Sequence, residues 1–174
     1  FAERCRRLAS ALRGRGVAPG DTVSIMAPNV PAMLEAHYGV PMLGAVLNAL
    51  NYRLDAPTIA FILNHAESKV LITDAEFSPV IKDALAQLGR DIVVIDIVDA
   101  LGVPGEQLGE KTYEAFLEEE GDAQFDDWLL PDDEWDALAL NYTSGTTGNP
   151  KGVVYHHRGA FVNALGNALV FGLN

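Results

Sequence analysis

Cysteine is nearly absent: Cys5 is the only one in 174 residues. A single thiol builds neither an internal disulfide framework nor a cysteine zinc cluster, and a reducing cytoplasm fits such usage. Cys5 lies on the apolar stripe of a predicted helix and reads as a small core residue. Positive charge is also scarce, with 12 Lys and Arg against 24 Asp and Glu and a net charge of −12. That balance argues against nonspecific binding of nucleic acid or anionic membrane, since both need a basic surface. The plain reading of the acidity is solubility. No apolar run reaches the ~18 residues that suggest a membrane span, so no transmembrane segment is expected, and no secretory leader is visible. Internal repeats and low-complexity tracts are missing as well. What is present is a globular composition, 49% apolar and 21% charged, able to bury a core. The chain opens at Phe1, already inside a helical pattern, and is expected to be a piece of something longer.

Helical and strand patterns alternate along the first part. Phe1, Cys5, Leu8 and Leu12 recur at helical spacing, and Gly14 and Gly16 close that helix. "APGD" is a turn, and "TVSIMA" from Thr22 a buried strand. Asn29 is the expected N-cap of a helix with Pro31 in its first turn, running to about Leu43. "AVLNAL" from Ala45, "KVLITD" from Lys69 and "DIVVIDIV" from Asp91 read as further strands. Helices marked by Ile59, Ile62, Leu63 and Ala66, and by Ile81, Ala84, Leu85 and Leu88, lie between them. Strands that are apolar throughout are covered on both faces. The fold class is therefore α/β, a layered, mostly parallel sheet flanked by helices. From Glu106 to Asp136 the chain carries more than half of its carboxylates. This stretch is expected to be a solvated surface connection, with "YEAFLEEE" as one short helix and Trp128 and Trp135 pinning it to the body. The expected organisation is an α/β layer over 1–104, an acidic surface connection over 105–136, and a strand–loop–strand–helix segment over 137–174.

The last segment holds the most specific string, "YTSGTTGNPKG" from Tyr142 to Gly152. Glycines let a ligand approach the backbone closely, and successive N–H groups in such a loop form an anion-binding concavity. Ser144, Thr146 and Thr147 add hydroxyls, and Lys151 adds a full charge. Between Thr143 and Lys151 no carboxylate competes, in a chain that is acidic overall. The natural guest is a polyphosphate. A Walker loop does not fit. Counted from Gly145, its second glycine is replaced by Pro150, which has no N–H, and Gly152 stands where Ser or Thr should follow the lysine. Lys151 also opens a strand pattern and not a helix. A G-x-G-x-x-G fingerprint is absent too. The adjacent His156 and His157, placed on a strand, would point to opposite faces. A structural role is preferred for both, and His65 reads as a surface or packing residue.

This string resembles the signature of the adenylate-forming, AMP-binding superfamily, which includes acyl-CoA synthetases, luciferases and peptide-synthetase adenylation domains. The signature reads [YF]-[TS]-S-G-[ST]-[TS]-G-x-P-K-G, and every position is met. The stretch from Gly16 to Leu54, "IAFILNHAESKVLITD" and "GVVYHHRGA" resemble the N-terminal portion of the fatty-acid–CoA ligase branch. Asn48, Asn51 and Arg53 match the family and receive a structural role.

The resemblance implies an acid–thiol ligase that uses ATP, magnesium and coenzyme A. A carboxylic acid, by resemblance a fatty one, would become an acyl-adenylate and then a thioester. Thr143, Ser144, Gly145, Thr146, Thr147 and Gly148 would contact the β- and γ-phosphates, with Lys151 as a mobile charge or loop anchor. No catalytic residue and no metal ligand is expected within the chain, and its acidity argues against a nucleic-acid partner; homo-oligomer formation stays open. Adenine and ribose motifs and a catalytic lysine come later in such proteins, so the piece alone is expected to be inactive. The alternative is a stand-alone nucleotide-binding or scaffold protein that keeps the loop without the chemistry. A P-loop NTPase is the least favoured reading.

Overall fold

The computed structural model describes residues 1–143 and 149–172. Four buried strands form its centre: β1 (Thr22–Met26), β2 (Val46–Ala49), β3 (Val70–Asp74) and β4 (Val93–Ile97). Three more lie outside them, β5 (Lys111–Thr112), β6 (Ala137–Thr143) and β7 (Lys151–His156). The sheet order is β5-β4-β3-β1-β2-β6-β7. Every neighbouring pair is parallel except β6 with β7. The mostly parallel α/β sheet expected from the sequence is thus present.

Strand parity sends side chains to two separate cores. Val23 and Ile25, Leu47, Val70 and Ile72 face α1 (Ala2–Gly14), α2 (Pro31–Gly39) and α5 (Tyr113–Glu120). Met26 and Leu71 face α3 (Ala56–His65) and α4 (Ser78–Ala86), with Ile59, Leu63 and Ile81 beneath. Cys5 is buried on α1, and burial pushes its thiol pKa up. Two details of α2 differ from the sequence reading. Its N-cap is Val30, with no side-chain cap bond, so Asn29 does not serve. The α-helix also stops at Gly39 and continues only as a 3-10 turn, Pro41–Leu43. Pro41 has no N–H to extend the ladder, which is the physical reason for the earlier end.

The acidic stretch is held by more than its tryptophans. Asp96, fully buried in the otherwise apolar β4, accepts the amides of Leu108 (3.1 Å) and Gly109 (2.6 Å). A Cβ at Gly109 would lie 2.0 Å from the Val94 carbonyl oxygen, so only glycine allows this approach. Tyr113, Phe116, Leu117 and Phe125 then enter the first core. Trp128 and Trp135 remain 47% and 60% exposed and touch the body through Arg6 and through His156 and Arg158, so the buried part of the pinning falls to Tyr113, Phe116, Leu117 and Phe125. Glu35 on α2, buried, accepts Arg4 Nε at 2.5 Å and the Tyr113 hydroxyl at 2.9 Å. Arg4 also donates to both oxygens of Glu114, which ties α1, α2 and α5 together.

Glu120, at the end of α5, accepts both Arg15 Nη2 (2.6 Å) and Arg15 Nε (2.7 Å) and lies 3.1 Å from Lys111 Nζ. The Arg15 guanidinium, with help from Lys111, pulls its carboxyl from 4.5 down to about 2. A carboxyl depressed on folding contributes stability above its unfolded pKa and loses it on acidification. Melting temperature should therefore fall more steeply between pH 4.5 and about 2 in the wild type than in Glu120→Gln. Equal slopes in a pH series of thermal melts would refute this.

Candidate functional site

The two ends of the glycine string, Tyr142–Thr143 and Lys151–Gly152, lie on paired antiparallel strands at the edge of the described sheet. β6 runs parallel to β2, so it ends at the carboxyl edge of the parallel strands, where ligands of open α/β sheets bind. β7 returns antiparallel, with Tyr142 opposite Gly152 and Thr143 opposite Lys151. The two arms thus bring the first and last expected phosphate contacts, Thr143 and Lys151, to neighbouring positions at the mouth of the loop. Both are exposed. Ser144, Gly145, Thr146, Thr147 and Gly148 lie outside the described residues. No Asp or Glu occurs from Ala137 to His157. The mouth offers a hydroxyl and an ammonium without a competing carboxylate in its own hairpin, which fits a polyphosphate. Among the described residues no cluster of three or more His, Cys, Asp or Glu is placed to hold a metal ion.

Tyr142 explains both ends of the string. Its half-buried ring packs against the second core, and a Cβ at Gly152 would lie 3.3 Å from its Cζ. Glycine opposite an aromatic ring leaves the strand pair room for that ring. On the other side, Tyr142 meets α3: its ring stands edge-on to His65 at 5.7 Å, and its oxygen lies 2.6 Å from His65 Nδ1. Burial raises the pKa of the phenol, which keeps its proton as a hydrogen-bond donor. Phe61, one turn back on α3, stacks on the same imidazole at 5.4 Å. Sequence reasoning saw His65 only as a surface or packing residue, and no local signal connects it to a tyrosine 77 positions away.

The histidine pair is arranged differently from the strand reading. β7 ends at His156, whose Nδ1 accepts the Gly159 amide at 2.9 Å and caps α6 (His157–Phe171). His157 is the first helical residue, and its amide donates to the Asp136 carbonyl. Opposite strand faces do not apply, because the pair straddles a strand–helix junction. Asn48, buried on β2, donates Nδ2 to Ser24 Oγ (3.0 Å), and Ser24 Oγ lies 2.6 Å from Ser68 Oγ. Asn51 Oδ1 accepts the Arg53 amide in the turn after β2.

The AMP-binding enzyme family matches residues 1–172. The chain is 49% identical over 185 residues to a peroxisomal acetate/butyrate–CoA ligase of Arabidopsis thaliana, covering 98% of this chain and 32% of that protein. Identity to an acetate–CoA ligase of Humulus lupulus is 44% over 183 residues, again 98% of this chain and 32% of the relative. Among solved structures, an anthranilate CoA ligase in complex with anthranoyl-AMP superposes with a TM-score of 0.83 at 25% identity. That match covers 99% of this chain and 31% of the ligase. The chain thus spans about a third of the length of the relatives it matches.

Proposed function

Because the chain belongs to the AMP-binding enzyme family, we propose that it is the phosphate-gripping part of an ATP-dependent acid–thiol ligase. The observation that carries this reading is the hairpin mouth, with Thr143 opposite Lys151 in a hairpin free of Asp and Glu. In the reaction, a carboxylate oxygen attacks the α-phosphorus of ATP and the bond to pyrophosphate breaks. The thiol of coenzyme A then attacks the acyl carbonyl and AMP leaves. Negative charge grows on the pyrophosphate oxygens during the first step. Thr143, Lys151 and the residues of the signature between them, Ser144 to Gly148, are proposed to stabilise it. Within the proposed division, 137–174 handles phosphate while the 1–104 layer carries it, with 105–136 as the connection.

The family resemblance alone leans toward a fatty acid. The relatives named above act on acetate, butyrate and anthranilate, so we propose a small monocarboxylic acid as substrate. The proposed setting stays the cytoplasm, on the lone free Cys5, although one named relative is peroxisomal. No described helix is long and apolar enough to cross a membrane. The test is pyrophosphate release by the full-length protein with acetate, butyrate, longer fatty acids and aromatic acids in turn. Release with none of them would refute the ligase reading and favour the nucleotide-binding scaffold.

The 174-residue chain alone is proposed to form no acyl-adenylate. α6 carries Phe161, Val162, Leu165, Leu169, Val170 and Phe171 and buries none of its residues, with Phe161 and Leu169 more than two-thirds exposed. A helix of this kind normally lies inside a larger body. Adenylate formation by the isolated chain would overturn this expectation.

A further inference from the structure

We propose that His65 is a positioning residue for the phosphate-binding hairpin, acting through Tyr142; the inference rests on the ligase reading given above. The argument begins with strand lengths. Leu47 of β2 stands opposite Ala139 of β6. β2 ends at Ala49, so by the same register its last residue is level with Asn141. Tyr142 and Thr143 extend past the strand that supports β6, and the other neighbour, β7, is the outermost strand among the described residues. An overhanging two-stranded ribbon is marginal on its own. Side chains must hold it in place.

Tyr142 makes those contacts. Its ring lies over Gly152 on the returning arm and against the second core. Its hydroxyl reaches His65 Nδ1 at 2.6 Å. His65 ends α3 and is itself steadied by the Phe61 ring. The helix terminus is thus connected through one imidazole and one phenol to the strand position directly before Thr143. A shift of Tyr142 would carry Thr143 with it, and with Thr143 its paired neighbour Lys151. A displaced cradle would lose its grip on the phosphates of bound ATP as well as on the leaving pyrophosphate, and lost grip on bound ATP reads as a raised KM for ATP. His65 therefore sets where the cradle stands while touching no substrate atom.

The experiment uses the full-length protein with His65→Leu, His65→Gln, Tyr142→Phe and the double variant His65→Leu/Tyr142→Phe. Backbone hydrogen exchange is followed in the peptide spanning 137–156, and KM is measured for ATP and for the acid. Losing one hydrogen bond of ordinary strength should speed exchange of that peptide about fivefold and raise KM for ATP by a similar factor. KM for the acid should stay unchanged. Glutamine at position 65 should restore both readings, and the double variant should be no worse than either single one. Unchanged exchange in His65→Leu, or single effects that multiply in the double variant, would overturn the connection. Faster exchange with an unchanged ATP KM in an active protein would overturn the positioning role. A wild type that releases no pyrophosphate would count against the ligase reading, while the exchange data would still decide whether His65 holds the hairpin.

Discussion

Replacing Lys151 by alanine in the full-length protein should slow pyrophosphate release about a hundredfold, the usual cost of removing one group that stabilises transition-state charge. Leaving pyrophosphate gathers charge as its bond to the α-phosphorus breaks, and the ammonium opposite Thr143 is the formal positive charge of the hairpin mouth. Thr143→Val should cost about tenfold, as expected for a neutral donor of ordinary hydrogen-bond strength. Lys151→Arg should recover part of the rate, since charge returns with altered shape. Lys151 is exposed, so the thermal melt of Lys151→Ala should match the wild type. Stopped-flow or coupled detection of pyrophosphate reads the effect. An undiminished rate in Lys151→Ala, with the acid saturating, would remove the chemical basis of the proposed function.

Truncating Phe116 to alanine should destabilise the protein by about 3–5 kcal/mol, the range for emptying a fully buried aromatic site. Phe116 is 0% exposed, in the first core on α5. Trp128→Ala should cost at most about 1 kcal/mol, because a half-exposed ring leaves no sealed cavity behind. Trp128 does have contacts: Arg6 sits 5.7 Å above its ring, and its indole N–H donates to the Phe125 carbonyl. Contacts of this kind at the surface are weak. Urea or thermal unfolding followed by circular dichroism measures both variants. A larger loss in Trp128→Ala than in Phe116→Ala would show that the tryptophans do pin the acidic stretch.

The contrast between Phe116 and Trp128 marks one limit of reading the chain by composition. The carboxylates between Glu106 and Asp136 dominate the stretch and make it look like a solvated connection. Yet "YEAFLEEE" presents Tyr113, Phe116 and Leu117 on one helical face, and that spacing was legible. Asp96 was a second missed signal. An acid inside "VVIDI" must find partners or remain outside the sheet. It finds them in the amides of Leu108 and Gly109, which make the turn before β5. At the candidate site, the string from Tyr142 to Gly152 stood out by residue types alone, and polyphosphate is the guest proposed for it. The role of Tyr142 was not legible, because its partner His65 belongs to a helix laid down on the far side of β3 in sequence.

Local order decided what the sequence determined alone. Apolar runs of strand length, helical spacing of Leu and Ile, and a glycine-rich string closed by Pro150 and Lys151 act over a few neighbouring residues, so they specify elements and mark a candidate site. Which element lies beside which depends on chain crossings that no short window contains. β6 settles next to β2, although β3, β4 and β5 intervene along the chain. Only that placement brings Thr143 to the carboxyl edge and Tyr142 within hydrogen-bond reach of His65. Packing on both faces of the sheet selects the strand order, and the strand order sets the Thr143–Lys151 pair at that edge.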